Sequence, residues 1–284
     1  MEWELITRLS FFFGVFAIVA YWETRRPRRQ LTQPKITRWF ANLGIVAINT
    51  VVLRLLFPMA AVGMALLATT NDWGLLNNYS IPYFLAVIIG VIALDFIIYL
   101  QHVMFHAVPL LWRLHMVHHA DLDYDVTTGL RFHPIEIVLS MLLKLSAIAV
   151  LGPPAVAVLI FEILLNATAM FNHGNLRLPP RVDRILRRFI VTPDMHRVHH
   201  SDIKRETNSN YGFNLSWWDR LFGTYRAQPE LGHTGMTIGL KQFRDPARLT
   251  LGRLLLLPFQ GRVGEYPINR QPATPPSQSG NYDR

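Results

Sequence analysis

The chain contains no cysteine. That absence excludes disulfides, a cysteine-held iron-sulfur cluster and the attachment motif of a c-type haem. Charge is also scarce: Asp, Glu, Lys and Arg make up 17% of the 284 residues, against 51% hydrophobic. This balance suits a chain mostly embedded in a bilayer. No G-x-G-x-x-G follows a strand and no P-loop is present, so a nucleotide cradle is not legible. Any redox chemistry must then draw its electrons from another protein. A net charge of +9 invites a nucleic-acid partner, but the basic residues crowd beside long apolar runs. Anionic headgroups account for them better, and no nucleic acid is expected.

Long apolar runs are abundant through the first 171 positions. Spans are expected from about Leu5 to Trp22, Asn42 to Ala68 and Ile81 to Leu100, each near the 20 or so residues that cross a bilayer. Ile135 to Leu151 and Ala155 to Phe171, joined by Gly152-Pro153-Pro154, read as a helical hairpin. Glu136, Lys144 and Glu162 lie inside its two short arms, so penetration without full crossing is one reading. Glu2 and Glu4 stand where a cleavable signal would be basic, so the first span is expected to stay as an anchor. Arg25, Arg26, Arg28, Arg29, Lys35 and Arg38 crowd the loop after it, whereas Thr69 to Ser80 holds no Lys or Arg, which puts the first loop in the cytoplasm. The expected fold is an all-α integral membrane protein of about three spanning helices plus the hairpin, with a cytosolic helical cap.

Eight of the eleven histidines form three clusters, His102-x-x-x-His106, His115-x-x-His118-His119 and His196-x-x-His199-His200. Positions i, i+3 and i+4 share a helix face, so each cluster is expected to aim its rings at a common point. The topology brings all three clusters to one side of the membrane. A zinc site takes about three or four protein ligands, whereas eight imidazoles serve two centres; imidazole suits iron, copper, nickel and zinc, and two irons are the favoured reading. His173, at the end of an apolar run, is a ninth candidate, and His133, just before Pro134, a further one. His233 has no partner in sequence. Neutral rings leave metal charge uncompensated, so acidic or amide side chains are expected behind them: Asp95, Asp194, Asp202, Asn210 and Asp219, with Glu136 less directly placed.

These motifs carry a resemblance. Their order looks like that of the fatty acid hydroxylase and sterol desaturase superfamily of integral membrane di-iron oxygenases, over roughly residues 85 to 226. Asp95 to His106, Arg131-Phe132-His133-Pro134-x-Glu136, Asn208-x-Asn210-Tyr211-Gly212 and Trp218-Asp219-Arg220-Leu221-Phe222-Gly223-Thr224-Tyr225 resemble the family as well. The resemblance implies the eight clustered histidines as ligands of two iron ions, with O2 as co-substrate. Relatives often carry a histidine four positions before the one matching His173; here it is Ala169.

The implied activity is hydroxylation or desaturation of a lipid C–H bond, the lipid entering sideways from the bilayer. Trp217 and Trp218 are placed near the mouth of its channel. The implied electron donor is a small ferredoxin, rubredoxin or cytochrome. Arg181, Arg184, Arg187 and Arg188, interleaved with apolar residues, suit a helix lying in the interface. The domain reading is a membrane anchor region over 1–80, a catalytic domain over 81–226, an interfacial segment over 227–263 and a disordered tail over 264–284. Two other classes fit the same histidines: a non-redox zinc-dependent membrane protein, and a scaffold that has lost its chemistry.

Overall fold

The computed structural model describes residues 2–260 and 263–269. Its elements are helices, and among the described residues no β-strand occurs, only three isolated bridges. The expected all-α class holds. Among the described residues, five stretches are long and apolar enough to cross a membrane. They are α1 (Glu2–Arg25), the segment of α2 (Lys35–Leu56), α3 (Ala60–Thr70) and the single turn α4 (Leu75–Asn78), then α5 (Tyr83–Ala107), α7 (Pro134–Leu151) and α8 (Ala155–Asn172). Between α5 and α7 lies α6 (Pro109–His119). Large apolar side chains such as Phe13, Ile18, Leu55, Phe84, Ile88 and Val150 are exposed on the outside of this bundle, as a lipid-facing surface requires.

The second span is not one helix over Asn42 to Ala68. It breaks after Leu56, where Phe57 leaves the helical region at φ −129° and ψ 68°. Pro58 is the cause: it lacks an N–H for the ladder and crowds the residue before it out of helix. α3 resumes and presents buried Ala61, Ala65 and Ala68 to α7 and α8, a row of small side chains that lets helices approach closely. Leu94, Ile98, Ile148, Val158 and Phe161 fill the core between these helices and α5.

The hairpin arms are 18 residues each, about 27 Å of helix. Their turn sits at the end of the bundle away from the histidines. Gly152, at φ +63°, presses on Trp73 O and the Asn77 amide, and Pro153 packs on Gly90 of α5. The arms therefore reach as far as the loop after α3. Lys144 and Glu162 pair at 2.7 Å, and Arg8 of α1 meets Glu162 at 2.7 Å.

At the opposite end the chain builds a cap from α6 and five short helices: α9 (Pro180–Leu186), α10 (Pro193–His199), α11 (Lys204–Thr207), α12 (Trp217–Leu221) and α13 (Gly232–Gly235). Val182, Ile185 and Phe189 at α9 are exposed. An ion network locks the α6–α7 connection onto α2. Arg38 donates to Asp121 at 2.8 Å and to Asp125 at 2.5 Å, and Arg131 donates to Asn42 at 3.2 Å. A last helix, α14 (Leu251–Leu256), is a strut: Leu254 and Leu257 pack with Ile45, Trp112 and Met116.

Part of the segment expected as a disordered tail, 264–269, is described and makes contacts. Tyr266 is buried and stacks on Trp112 at 5.7 Å, and Ile268 N donates to His106 O at 3.0 Å. Composition hid one anchoring aromatic. The rest of the expected disordered tail, 270–284, lies outside the described residues.

Gly74 tests the hairpin contact. It stands at φ 89° and ψ 160°, and an added Cβ would lie 2.2 Å from Gly152 N. That backbone region is nearly closed to other residues. Gly74→Ala is expected to cost about 2 kcal/mol or more, read as a lowered thermal midpoint in detergent. Gly14→Ala, with nothing within 4 Å of its Cβ, is the control expected to be neutral or mildly stabilising.

Candidate metal centre

Nine buried histidines meet where α5, α6, α8 and α10 converge. His102, His106, His115, His119 and His199 bring five ring nitrogens within 4.8 Å of one another, and His118, His173, His196 and His200 bring four. The two groups adjoin, with the His118 and His119 ring centroids 5.3 Å apart. The clusters do not each aim at one point. His115 and His119 join the first group while His118 joins the second; His196 and His200 join the second while His199 joins the first. Helical phase explains the split. Residues four apart differ by about 40° around the axis, whereas neighbours differ by about 100°, so the i, i+4 pair shares a site and the residue between them turns to the other.

For four of the rings, hydrogen bonds fix which nitrogen is offered. His102 Nδ1 lies 2.7 Å from Tyr211 O, His199 Nδ1 2.7 Å from Ser209 O and His173 Nδ1 2.7 Å from Ala169 O. A carbonyl only accepts, so these Nδ1 atoms carry the proton and each Nε2 is left with a lone pair. His106 Nδ1 donates likewise to Asn208 Oδ1 at 3.1 Å, the amide being oriented by its own donation to Tyr266 O at 2.7 Å. His115 Nδ1 meets Glu136 Oε1 at 2.7 Å. His102 Nε2, which carries a lone pair, faces His115 Nε2 at 3.1 Å. A cation between them makes that contact favourable.

The same need shows in unpaired atoms. Nε2 of His106, His119 and His199 is buried without a hydrogen-bond partner, and two groups of neutral nitrogen donors fit two divalent first-row ions. Burial holds the rings uncharged: it lowers His115 and His173 to about 3, and His118, His119, His196, His199 and His200 fall well below the usual imidazole range.

The residues behind the rings differ in part from those expected. Glu136 touches a ring directly. Asp219 acts one step away, accepting from Tyr211 N at 2.7 Å and Gly212 N at 2.9 Å and so fixing the carbonyl under His102. Asp95 accepts from Trp218 Nε1 at 2.8 Å and holds the 214–218 segment. Asn210 bonds Met195 O and Arg226. Asp194 binds Arg28 and Arg197, with His233 at 3.6 Å. Asp202 uses its backbone, on Thr237 and Tyr266.

His133 is in neither group. It caps α7, accepting from Ile135 N at 3.2 Å through Nδ1, and its Nε2 donates to Leu255 O at 3.1 Å. Sequence reasoning missed Asn208, whose motif was visible, and the three carbonyls, which leave no side-chain signal. Gly129 is also required here, since a Cβ would lie 2.5 Å from Ala169 O and 3.0 Å from His173 Nδ1.

A cavity of about 430 Å³ runs from His102, His115 and Glu136 into the bundle between α1, α2, α5, α7 and α8. Phe132 and Phe213 narrow its histidine end, Phe132 stacking on His118 at 4.4 Å and Phe213 packing on His102 at 5.0 Å. Trp218 is committed to Asp95, and Trp217 donates to Arg188 O at 2.9 Å.

Residues 87–224 match the family model described as fatty acid hydroxylase. This part of the chain belongs to that family. Among curated proteins, the family region resembles the ornithine lipid hydroxylase OlsE of Rhizobium tropici, 32% identical over 160 residues, covering 55% of this chain and 46% of that one. The alkylglycerol monooxygenase of Homo sapiens is 30% identical over 169 residues, covering 57% of this chain and 35% of the relative. A fatty acid hydroxylase, vlmA, of Lecanicillium sp is 31% identical over 146 residues, covering 47% of this chain and 40% of that protein. The chain thus spans under half the length of these relatives. No solved structure matches it.

Two outcomes follow for the fatty acid hydroxylase region. Asn208→Ala removes the partner of His106 and is expected to weaken metal binding roughly 10- to 100-fold, measured by chelator competition. In the metal-free protein the buried rings take up fewer protons than the unfolded chain, whose histidines titrate near about 6.5. Stability therefore falls as pH drops below about 6.5 and keeps falling toward the lowered folded values. Thermal midpoints of chelator-treated protein between pH 7.5 and pH 5 check this; a flat profile would show the rings to be solvated.

Proposed function

We propose that the chain is a membrane-bound di-iron oxygenase that inserts one oxygen atom of O2 into a C–H bond of a lipid, with electrons from an external carrier protein. The observation that carries this reading is the pair of adjoining buried all-imidazole groups, the first of which lines a largely apolar cavity among membrane helices through His102 and His115. The fatty acid hydroxylase match and the names of the relatives, a lipid hydroxylase and an alkylglycerol monooxygenase, support it. Bound to the nine histidines, two irons supply the reductive activation of dioxygen and the oxidising power that an unactivated C–H bond demands.

The chain's own residues do the remaining work. Tyr211 O, Ser209 O, Ala169 O, Asn208 and Glu136 hold the rings in one tautomer and orientation. Ring order matters because a ligand that rotates loosens the centre by orders of magnitude. Phe132 and Phe213 shape the approach, and the apolar wall of Leu9, Phe12, Leu53, Ile137 and Leu165 keeps water from the reacting carbon while holding the lipid chain against it. Hydroxylation consumes O2, two electrons and two protons for each alcohol and water formed; no flavin, nicotinamide or cysteine-held cluster site was legible in the sequence, so the electrons are assigned to a ferredoxin, rubredoxin or cytochrome-type donor.

The Arg-rich loop between α1 and α2 supports a cytoplasmic setting for the histidine end. There the basic residues of α9 and the turn after it, Arg181, Arg184 and Arg188, offer an acidic carrier a docking surface. Hydroxylation is preferred to desaturation because it takes one hydrogen from the substrate carbon rather than one from each of two neighbours.

Mass spectrometry of lipid extracts from cells with and without the chain tests the reading. The expected change is a gain of one oxygen atom in a defined lipid class, or loss of two hydrogens for desaturation. His118→Ala is expected to abolish it while the protein still inserts in the membrane. Unchanged products in that variant would remove His118 from the working centre. Zinc in place of iron, with no oxygen uptake, would favour the non-redox alternative.

A further inference from the structure

The far end of the cavity is charged. Lys144 Nζ donates to Glu162 Oε1 at 2.7 Å, and Arg8 Nη2 stands 2.7 Å from Glu162 Oε2. Arg8 also donates through Nε to Glu4 at 3.0 Å. Arg8, Lys144 and Glu162 all line the cavity that reaches His102 and His115, and all lie within candidate spans. Ionised groups at such depth are costly, and a buried ion pair is commonly no more stabilising than apolar residues of the same volume. The bundle does not need this cluster to hold together: α8 already packs on α1, α3 and α5 through apolar side chains. Its placement on a cavity wall points to a ligand.

The geometry also says where such a ligand would lie. Lys144 carries three N–H donors, and one is used on Glu162. Glu136, Ser140 and Lys144 recur at i, i+4 and i+8, one stripe of α7 that lines the cavity. Glu136 meets His115 at the head of this stripe, and Ser140 accepts from Gln101 Nε2 at 2.7 Å midway. Eight residues of helix put Lys144 about 12 Å from Glu136 along the axis. One wall therefore carries the metal-binding end and a charged end a fixed distance apart, with apolar surface around them.

We propose that Arg8 and Lys144, held in place by Glu162, anchor the substrate by a hydrogen-bond-accepting oxygen carried on its lipid chain, so that the spacing to the histidines selects the carbon that is oxidised. The inference rests on the lipid-oxidising reading of the metal centre and narrows its substrate class. The lipid has an oxygen function that enters the bundle, and the oxidised carbon lies toward the opposite, histidine end of the cavity. A plain hydrocarbon chain gains nothing from this end of the cavity.

The test uses the full chain in phosphatidylcholine nanodiscs with radiolabelled dodecanoic acid, dodecan-1-ol and dodecane as probes, binding being corrected for empty nanodiscs. Wild-type protein is expected to bind the acid or the alcohol about tenfold more tightly than dodecane, and the two oxygenated probes separate a carboxylate from a hydroxyl. Lys144→Met is expected to erase that margin. So is the double variant Lys144→Met with Glu162→Met, which replaces the buried pair by apolar side chains and is expected to fold even if the single variant does not. No margin in the wild type, or a margin kept in the double variant, overturns the anchor. Binding does not depend on oxidation, so the two readings fail separately. A margin lost in the variants without any oxidised product leaves the anchor standing and removes the oxygenase, whereas oxidation without a margin does the reverse.

Discussion

Everything in this structure turns on the crowding of neutral imidazoles. Nine rings are buried together, and at least four of them are forced by carbonyl or amide acceptors to present an Nε2 lone pair inward. Lone pairs that face one another at about hydrogen-bond distance, away from water, repel. Protonation would relieve a single pair, but burial disfavours charge on His115, His119, His173 and His199. Cations held by these lone pairs would stabilise the arrangement, and the division into five and four donors fits two.

The membrane helices and the cap share the task of making that arrangement. α5 carries His102 and His106 out of the apolar core on one face, and α6 and α10 each supply a three-histidine turn that divides between the two groups. Loops then do what helices cannot. The 208–213 segment turns the Ser209 and Tyr211 carbonyls and the Asn208 amide toward three rings, and Asp219 pins that segment by two backbone N–H groups. Arg38, Asp121 and Asp125 tie the 120–131 loop to α2, which sets Gly129 against Ala169 and His173. The second group has less support of this kind: Nδ1 of His118, His196 and His200 is buried and unpaired, whereas His173 has its carbonyl.

Much of this was legible in advance, because hydropathy and histidine spacing are local signals. The spans, the hairpin and all nine clustered rings could be read from periodicity and the family-like motifs. What escaped depends on phase or on distant contacts. The equivalence of i+3 and i+4 on a helix face is only approximate, and the difference decides which centre a ring joins. Asp194 sits one turn from its histidines in sequence yet binds Arg28, which lies 166 positions earlier. Ring partners that are backbone carbonyls have no residue type to reveal them. Pro58 was a visible break inside a run whose hydropathy outweighed it, and Tyr266 was one ordered residue in a segment judged by its average composition.

The fatty acid hydroxylase region joins such a centre to a cavity whose two ends differ in chemistry, which is what a positional lipid oxidation requires: a reactive site at one end and a way to place the chain at the other. The central claim is that folding gathers two metal ions on nitrogen ligands alone. Elemental analysis with X-ray absorption spectroscopy, on protein purified anaerobically from membranes, addresses it directly. The expected result is two iron atoms per chain with nearest neighbours of the nitrogen and oxygen class. One metal or none per chain would contradict it.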